Sequence, residues 1–353
     1  MIPEIVDKEQ KPFWIYYWKD NEIWRIDDRG QNRELLLDTH KSLGQWLTAH
    51  PMEGTDCCWT GPRVVVSPNG QKLALVVVDK EQLTQKGRSF TFSIYVFDVQ
   101  SHDLKLISEG TLPVWSPNEK RIAFIKDGSL WIADLESGQI HERVIKHEKQ
   151  SMSITELAWS PDSKQIAYLY NFGMHRIPAI WLVDADDGTP PRQLLSLRPE
   201  WEIYRIEWLP GRQQIFFLSQ EGSRDISQYH RVDNLWSVSL ATGERTQLTQ
   251  DMQVQSYGIL PDSQWLFIAG YHLYERSQGN YDHDLWLLSL DGRDLRRITT
   301  DQGDLGVAGW NPGGTHWIVR HAGVDISLFS LGSGMMTALN FELGFNFAVG
   351  GAK

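Results

Sequence analysis

Cysteine is almost absent from this chain of 353 residues: there are two, Cys57 and Cys58, and they are adjacent. Neighbours in sequence rarely reach disulfide geometry, so a disulfide-stapled scaffold is excluded. Long apolar runs are missing as well. No stretch approaches the roughly 18 apolar residues of a membrane-spanning helix, and the opening MIPEIVDKEQK lacks the apolar segment of a secretory signal. As written, the chain reads as soluble and cytoplasmic, with no membrane insertion; it would be extracytoplasmic if a signal had been removed and replaced by an initiator Met. Positive charge is the third shortage. Lys and Arg number 34 against 45 Asp and Glu, a formal net charge of -11. That balance argues against nucleic acid, whose backbone is held by clustered cations. The nearest approach to a basic patch, Arg293, Arg296 and Arg297, sits beside Asp291 and Asp294 and reads as a solvated strand face.

What is present is repetition. A short strand pattern returns seven times, usually with an aromatic near its start: EIWRIDD (22–28), SIYVFDV (93–99), SLWIADL (129–135), AIWLVDA (179–185), NLWSVSL (234–240), DLWLLSL (284–290) and the degenerate DISLFSL (325–331). A second element precedes six of them, in VVVSPNGQKLAL (64–75), LPVWSPNEKRIAF (112–124), ELAWSPDSKQIAY (156–168), RIEWLPGRQQIFF (205–217), SYGILPDSQWLFI (256–268) and VAGWNPGGTHWIV (307–319). Each of these is a strand, a tight turn and a strand. Proline fixes φ in the turn, and the Asn, Asp or Gly after it accepts the remaining geometry. Pro68, Pro117, Pro161, Pro210, Pro261 and Pro312 recur at spacings of 49, 44, 49, 51 and 51. Self-similarity of this period marks a β-propeller, in which one four-stranded blade cannot bury its faces alone.

The W-S-P-D/N turns Trp115–Asn118 and Trp159–Asp162, with the closing segments LWSVSLATGERTQLT (235–249) and LWLLSLDGRDLRRIT (285–299), resemble the TolB-like propeller repeat. The same repeat occurs in the propellers of tricorn protease and the prolyl oligopeptidase class, and the resemblance covers roughly residues 57 to 340. It implies an all-β fold of seven four-stranded antiparallel blades, and leaves activity open, because such propellers serve as partner platforms, as substrate gates or, rarely, as catalysts. No G-x-S-x-G nucleophile elbow occurs, so the hydrolase domain that accompanies peptidase propellers is missing from this sequence. Walker and dinucleotide glycine motifs are missing too.

Seven blades consume nearly the whole length, so one domain is expected. The first blade would hold 13–39 plus 344–350, and the others about 57–110, 111–147, 153–197, 203–250, 254–300 and 305–340. Six proline turns for seven blades leave the first blade short of its innermost strand. GFNFAVG (344–350) is expected to supply it, pinning the ring and leaving no open edge; Ile2 to Val6 is the alternative donor. In a propeller, connectors between second and third strands share a face with connectors between blades. The long insertions, Asp79 to Phe92, Asn171 to Pro178, Ser219 to Asp233 and Gly270 to His283, with the linker Thr39 to Asp56, would therefore collect on one face, the usual mark of a binding face.

The fifth- and sixth-blade insertions carry the reactive side chains. One brings Arg224, Asp225, Tyr229, His230, Arg231 and Asp233; the other brings His272, Tyr274, Glu275, Arg276, Tyr281, Asp282 and His283. Arg224, Arg231 and Arg276 offer planar donors suited to carboxylates, while Tyr229, Tyr274 and Tyr281 add rigid amphipathic contact area. Trp201 and Tyr204, at the start of an innermost strand, are candidates for stacking on a ligand. The repeated Trp24, Trp131, Trp181, Trp236 and Trp286 read as packing between blades. The ligand type implied is a protein, a peptide or a small anionic molecule. His230, His272 and His283, with His175 one blade earlier, are metal candidates, with Asp282 or Asp284 orienting a ring. They lack a diagnostic spacing, so no metal or other cofactor is expected. Oligogalacturonate lyases use histidines and a divalent metal on a propeller, but no motif of theirs maps onto this chain residue by residue. Asp184, Asp186, Asp187 and Gly188 fall where a turn is required and lack an EF-hand's spacing. Three functional readings follow: a non-catalytic binding module, a propeller lyase or hydrolase acting on a polar substrate, and the recognition part of a larger assembly with catalysis elsewhere.

Overall fold

The structure, a computed structural model, describes residues 12–19, 21–43, 64–84, 87–144, 152–172, 177–186, 188–198, 201–221, 232–260, 264–273, 283–300, 305–311, 314–321, 326–339 and 346–352. These form seven four-stranded antiparallel sheets, the blades of a seven-bladed β-propeller. From the second to the seventh, the blades occupy 64–109, 111–144, 152–196, 202–247, 252–297 and 305–339, each meandering outward from an innermost strand at the channel. In the first blade Phe13–Lys19, Glu22–Asp27 and Glu34–Asp38 follow one another, and Asn346–Ala352 pairs antiparallel with Phe13–Lys19, Ile15 opposite Val349 and Tyr17 opposite Phe347.

Period-two alternation sends each strand's side chains toward the two neighbouring blades, and the core divides accordingly. There are seven apolar clusters among the described residues, one at each junction. The junction between the last and first blades is packed like the rest: Phe13, Ile15, Tyr17 and Ile26 meet Ile318, Ile326, Leu328 and Leu339.

A tryptophan ahead of the proline turn binds the third, fourth and fifth blades each to its predecessor. The indole N–H of Trp115 donates to the Val65 carbonyl at 3.0 Å, that of Trp159 to Val114 at 3.1 Å and that of Trp208 to Ala158 at 2.9 Å. A buried Trp needs such an acceptor, and the preceding innermost strand supplies it. The serine beside it closes the turn: Ser67, Ser116 and Ser160 donate to Asn69, Asn118 and Asp162 at 2.9, 2.8 and 2.6 Å, and accept from Lys72, Arg121 and Gln165 N–H. The bond from Ser160 holds the Asp162 carboxyl below its ordinary range.

One insertion is not a loop. Asp79 to Phe92 continues the strands, which run Lys72–Thr84 and Gly87–Asp98 with Lys80 opposite Thr91 and Thr84 opposite Gly87, so a long hairpin extends from the second blade. The linker after the first blade begins as the short helix Thr39–Leu43. Among the described residues no helix is long and apolar enough to cross a membrane.

Candidate functional site

The two faces differ. One carries the proline turns and the outer hairpin turns, whose polar groups are largely consumed by their own Ser–Asx bonds. These bonds continue across blades, from Asn69 N–H to Glu119 and from Asn118 N–H to Ser163 at 3.1 Å. The other face receives the connectors between blades and between second and third strands. Arg224, Tyr229, His230, Arg231, Tyr274, Arg276 and Tyr281, with His175 and Asp282, lie outside the described residues.

The described base of the fifth-blade insertion is tied to the innermost strand of the sixth blade. Asp233 N–H donates to Gln253 Oε1 at 3.1 Å and the Gln253 amide returns a bond to Asp233 Oδ2, a two-way clamp between the blades at the channel mouth. Tyr204 stands beside it. Burial above all, and then Asp233, raises its hydroxyl well above the ordinary tyrosine range, so this group stays a neutral phenol. Trp201 is held on the outer side: the Arg245 guanidinium lies 4.3 Å from its ring and 4.5 Å from that of Trp236. Its stacking partner is thus a cation of its own blade. The repeated aromatics share this device, with Arg33 over Trp24, Lys126 over Trp131 and Arg297 over Trp286.

Two of the candidate histidines, His272 and His283, are described. His283 meets the Tyr271 ring edge-on, centroids 5.0 Å apart. Asp284, a candidate for orienting a ring, is turned instead to Arg297 and Thr299. Among the described residues no three His, Cys, Asp or Glu side chains converge as a metal would require. Elemental analysis of protein expressed in metal-supplemented medium is expected to find divalent metal only in trace. Near one equivalent, lost in His272→Ala or His283→Ala, would revive the metal-assisted lyase.

A second constellation, absent from the sequence-based candidates, lines the channel. The innermost strands of the third to seventh blades each bulge near mid-length, at 112–113, 155, 205–206, 255 and 308. A bulge breaks the alternation and re-aims the side chains beside it. In the fifth blade the bulge residue Arg205 has φ of 53°, the left-handed region, as does its counterpart Leu112. Neighbours on both sides hold it there. Glu156 of the fourth blade accepts from Arg205 N–H at 2.7 Å and from Ile206 N–H at 3.0 Å, and the Tyr257 hydroxyl of the sixth blade donates to the Arg205 carbonyl. Glu207 follows on the same strand. Part of each glutamate side chain touches solvent, while the carboxyl groups are enclosed by protein. Burial pushes Glu156 up to about 7, against the pull of the two N–H donors and of Arg205; burial and the nearby Glu156 push Glu207 up to about 8. Sequence offered one signal for these groups: Glu207 stands where the other blades have Val114, Ala158, Gly258 and Gly309, and Arg205 where they have Leu112, Glu156, Ser256 and Val307.

The chain was compared with known proteins. A family model for the dipeptidyl peptidase IV (DPP IV) N-terminal region matches residues 67–189. A probable dipeptidyl-aminopeptidase B from Emericella nidulans is 24% identical over 213 residues, which is 51% of this chain and 23% of that protein. The chain therefore spans only 23% of the length of this curated relative. Among solved structures, an oligogalacturonate lyase in complex with manganese aligns with a TM-score of 0.60 at 14% identity, over 78% of this chain and 76% of that one. The dipeptidyl peptidase 4 of Porphyromonas gingivalis aligns with a TM-score of 0.58 at 12% identity, over 94% and 53%. The β-propeller domain of the Trilobed protease from Pyrococcus furiosus aligns with a TM-score of 0.56 at 16% identity, over 79% and 85%. At these identities the common property is architecture, and it is the β-propeller.

Proposed function

We propose that the chain is a propeller binding module that recognises a protein, a peptide or a small anionic ligand on its connector-bearing face. The observation that carries this reading is the asymmetry of the two faces. Turn-face groups are spent on Ser–Asx bonds, whereas the Arg- and Tyr-rich segments of the sequence join second to third strands, whose described ends Glu221, Val232, His272 and Asp284 lie at the opposite ends of those strands from the proline turns. Connectors gathered on one face of a repeat fold are where recognition usually resides. Cations placed locally on a chain of net charge -11 have a use there, as planar donors to carboxylates. The Asp233–Gln253 clamp fixes the base of the fifth-blade insertion to the innermost sixth-blade strand, on which Gln253 pairs opposite Tyr271 at the base of the sixth-blade insertion.

The test is a pair of double variants measured against a partner isolated from the native host. Arg231→Ala with Tyr281→Ala is expected to weaken binding at least about tenfold, the loss of one buried anchor, without lowering the melting temperature. Lys120→Ala with Lys164→Ala, on the turn face, should do little. Equal effects from the two pairs, or none from the first, would place recognition elsewhere.

A second reading is supported by the match to a peptidase N-terminal region and by coverage of only about half of the Porphyromonas gingivalis enzyme. In it this propeller recognises or admits substrate for catalysis carried elsewhere. Co-purification with a separate hydrolase would favour that version. Turnover of a polar substrate by the chain alone would favour the third reading, a propeller lyase or hydrolase.

A further inference from the structure

The channel wall between the fourth and sixth blades is built around an arginine whose guanidinium has no partner among the described residues. Arg205 sits midway along its innermost strand, exposed, in a backbone conformation that a side chain of its kind adopts at a cost. Its N–H, that of Ile206 and its carbonyl are all taken by Glu156 and Tyr257, so the bulge is locked from both neighbouring blades. The guanidinium forms no hydrogen bond or ion pair with the other described residues. Glu156, the nearest carboxylate, uses its two oxygens on backbone N–H groups instead, and Glu207 accepts no hydrogen bond from the described residues. A rigid mount that carries an exposed guanidinium on an innermost strand, with the adjoining carboxylates not paired to it, is the arrangement of a receptor for a planar oxyanion.

We propose that Arg205 is a carboxylate-binding residue within the propeller channel, and that the neighbouring Glu156 and Glu207 side chains tune its affinity. This site is distinct from the connector-face insertions and stands or falls independently of them. The charged and titratable groups facing it are Glu156 from the fourth blade, Arg205 and Glu207 from the fifth, and Tyr257 from the sixth; Tyr204, Glu202 and Asp233 lie toward the mouth. Well below 7 both glutamates are mostly neutral and the site carries the positive charge of Arg205. Well above 8 both are mostly ionised, the site's charge becomes negative, and an anion is repelled. Affinity for a carboxylate must therefore fall as pH rises through that interval.

Benzoate is a suitable probe because its charge is constant across this range, and benzamide is its neutral counterpart. Titrated into the whole chain and followed by the arginine Nε–H resonances, benzoate is expected to bind at least about tenfold more tightly near pH 6 than near pH 9, since two like charges appear beside the ligand. Benzamide should not bind measurably at either pH. Arg205→Gln should abolish the response at low pH. Glu207→Gln removes an ionisable group and no hydrogen bond of the described residues, so it should recover at least about threefold of the affinity near pH 9. The proposal is overturned if the unaltered chain binds benzoate equally at both pH values or not at all, if benzamide binds as well, or if folded Arg205→Gln binds benzoate normally.

Discussion

Deleting residues 341–353 is expected to destabilise the protein by several kcal/mol or to drive it into aggregates, the largest effect foreseen for any single alteration of this chain. Asn346–Ala352 is an edge strand of the first blade's sheet and pairs with Phe13–Lys19 from Phe13 to Trp18. Its backbone also lies between the innermost strands Val64–Val66 and Leu305–Trp310, which come from the two neighbouring blades. Without it, the Phe13–Lys19 edge opens onto the channel and its N–H and C=O groups lose their partners. Such an edge is a template for pairing with another chain. Thermal and urea unfolding with light scattering would measure both consequences. An unchanged melting profile in the truncated protein would rule out a closing role for this strand. Deleting residues 2–6 is the matching control and should leave the profile as it is; the reverse pattern would give the closing role to the N-terminus.

Much of this architecture was legible because the repeat writes its hydrogen bonds into its residue types. In Ser-Pro-Asn and Ser-Pro-Asp, the proline sets the turn while the serine and the Asx residue close it. In the structure Ser67, Ser116 and Ser160 do so with nearly superimposable partners. The tryptophans ahead of two of these turns reach back to the previous blade, so the motif encodes the junction as well as the turn. Where the serine is replaced, as at Leu209 and Leu260, the position stays buried and becomes apolar, and the turn after Leu209 survives on its backbone bonds. The long second-blade hairpin was harder to read. Asp79 to Gln82 is a polar run in the middle of a strand, and a bulge between Val78 and Lys80 shifts the alternation that would have betrayed it.

The channel constellation was illegible for a related reason. Bulges at 155 and 205–206 decide that Glu156, Arg205 and Glu207 approach one another across two blades, and a bulge has no dependable signature in residue type. Sequence order spreads these three residues over 51 positions, and their meeting depends on stacking two blades in register. The long polar insertions, by contrast, draw attention through composition alone. That is why sequence reasoning selected Arg231 and Tyr281 and passed over Arg205.

Substituting Asp284 is expected to cost about 3 kcal/mol, because it removes the anion from a buried ion pair and leaves a mostly enclosed guanidinium behind. The Asp284 side chain is 2% exposed and that of Arg297 26%. Arg297 reaches Asp284 Oδ2 and the Thr299 carbonyl, and the Thr299 hydroxyl donates to Asp284 Oδ1 at 3.0 Å while accepting from Leu285 N–H at 2.9 Å. The fifth blade holds a neutral copy of this network fifty positions earlier. There Thr249 donates to Asn234 and accepts from Leu235 N–H, and Gln247 reaches the Thr249 carbonyl at 2.8 Å. Asn234 and Gln247 thus stand where Asp284 and Arg297 stand, and they satisfy the same backbone groups without burying charge. Asp284→Ala and Arg297→Ala, measured singly by urea unfolding, should each be strongly destabilising. Asp284→Asn combined with Arg297→Gln should restore most of the loss, because it rebuilds the fifth-blade arrangement in the sixth. If the neutral pair proves as unstable as Asp284→Ala, the charges themselves hold the blade together. If Asp284→Ala costs less than about 1 kcal/mol, the pair behaves like an exposed salt bridge and contributes little.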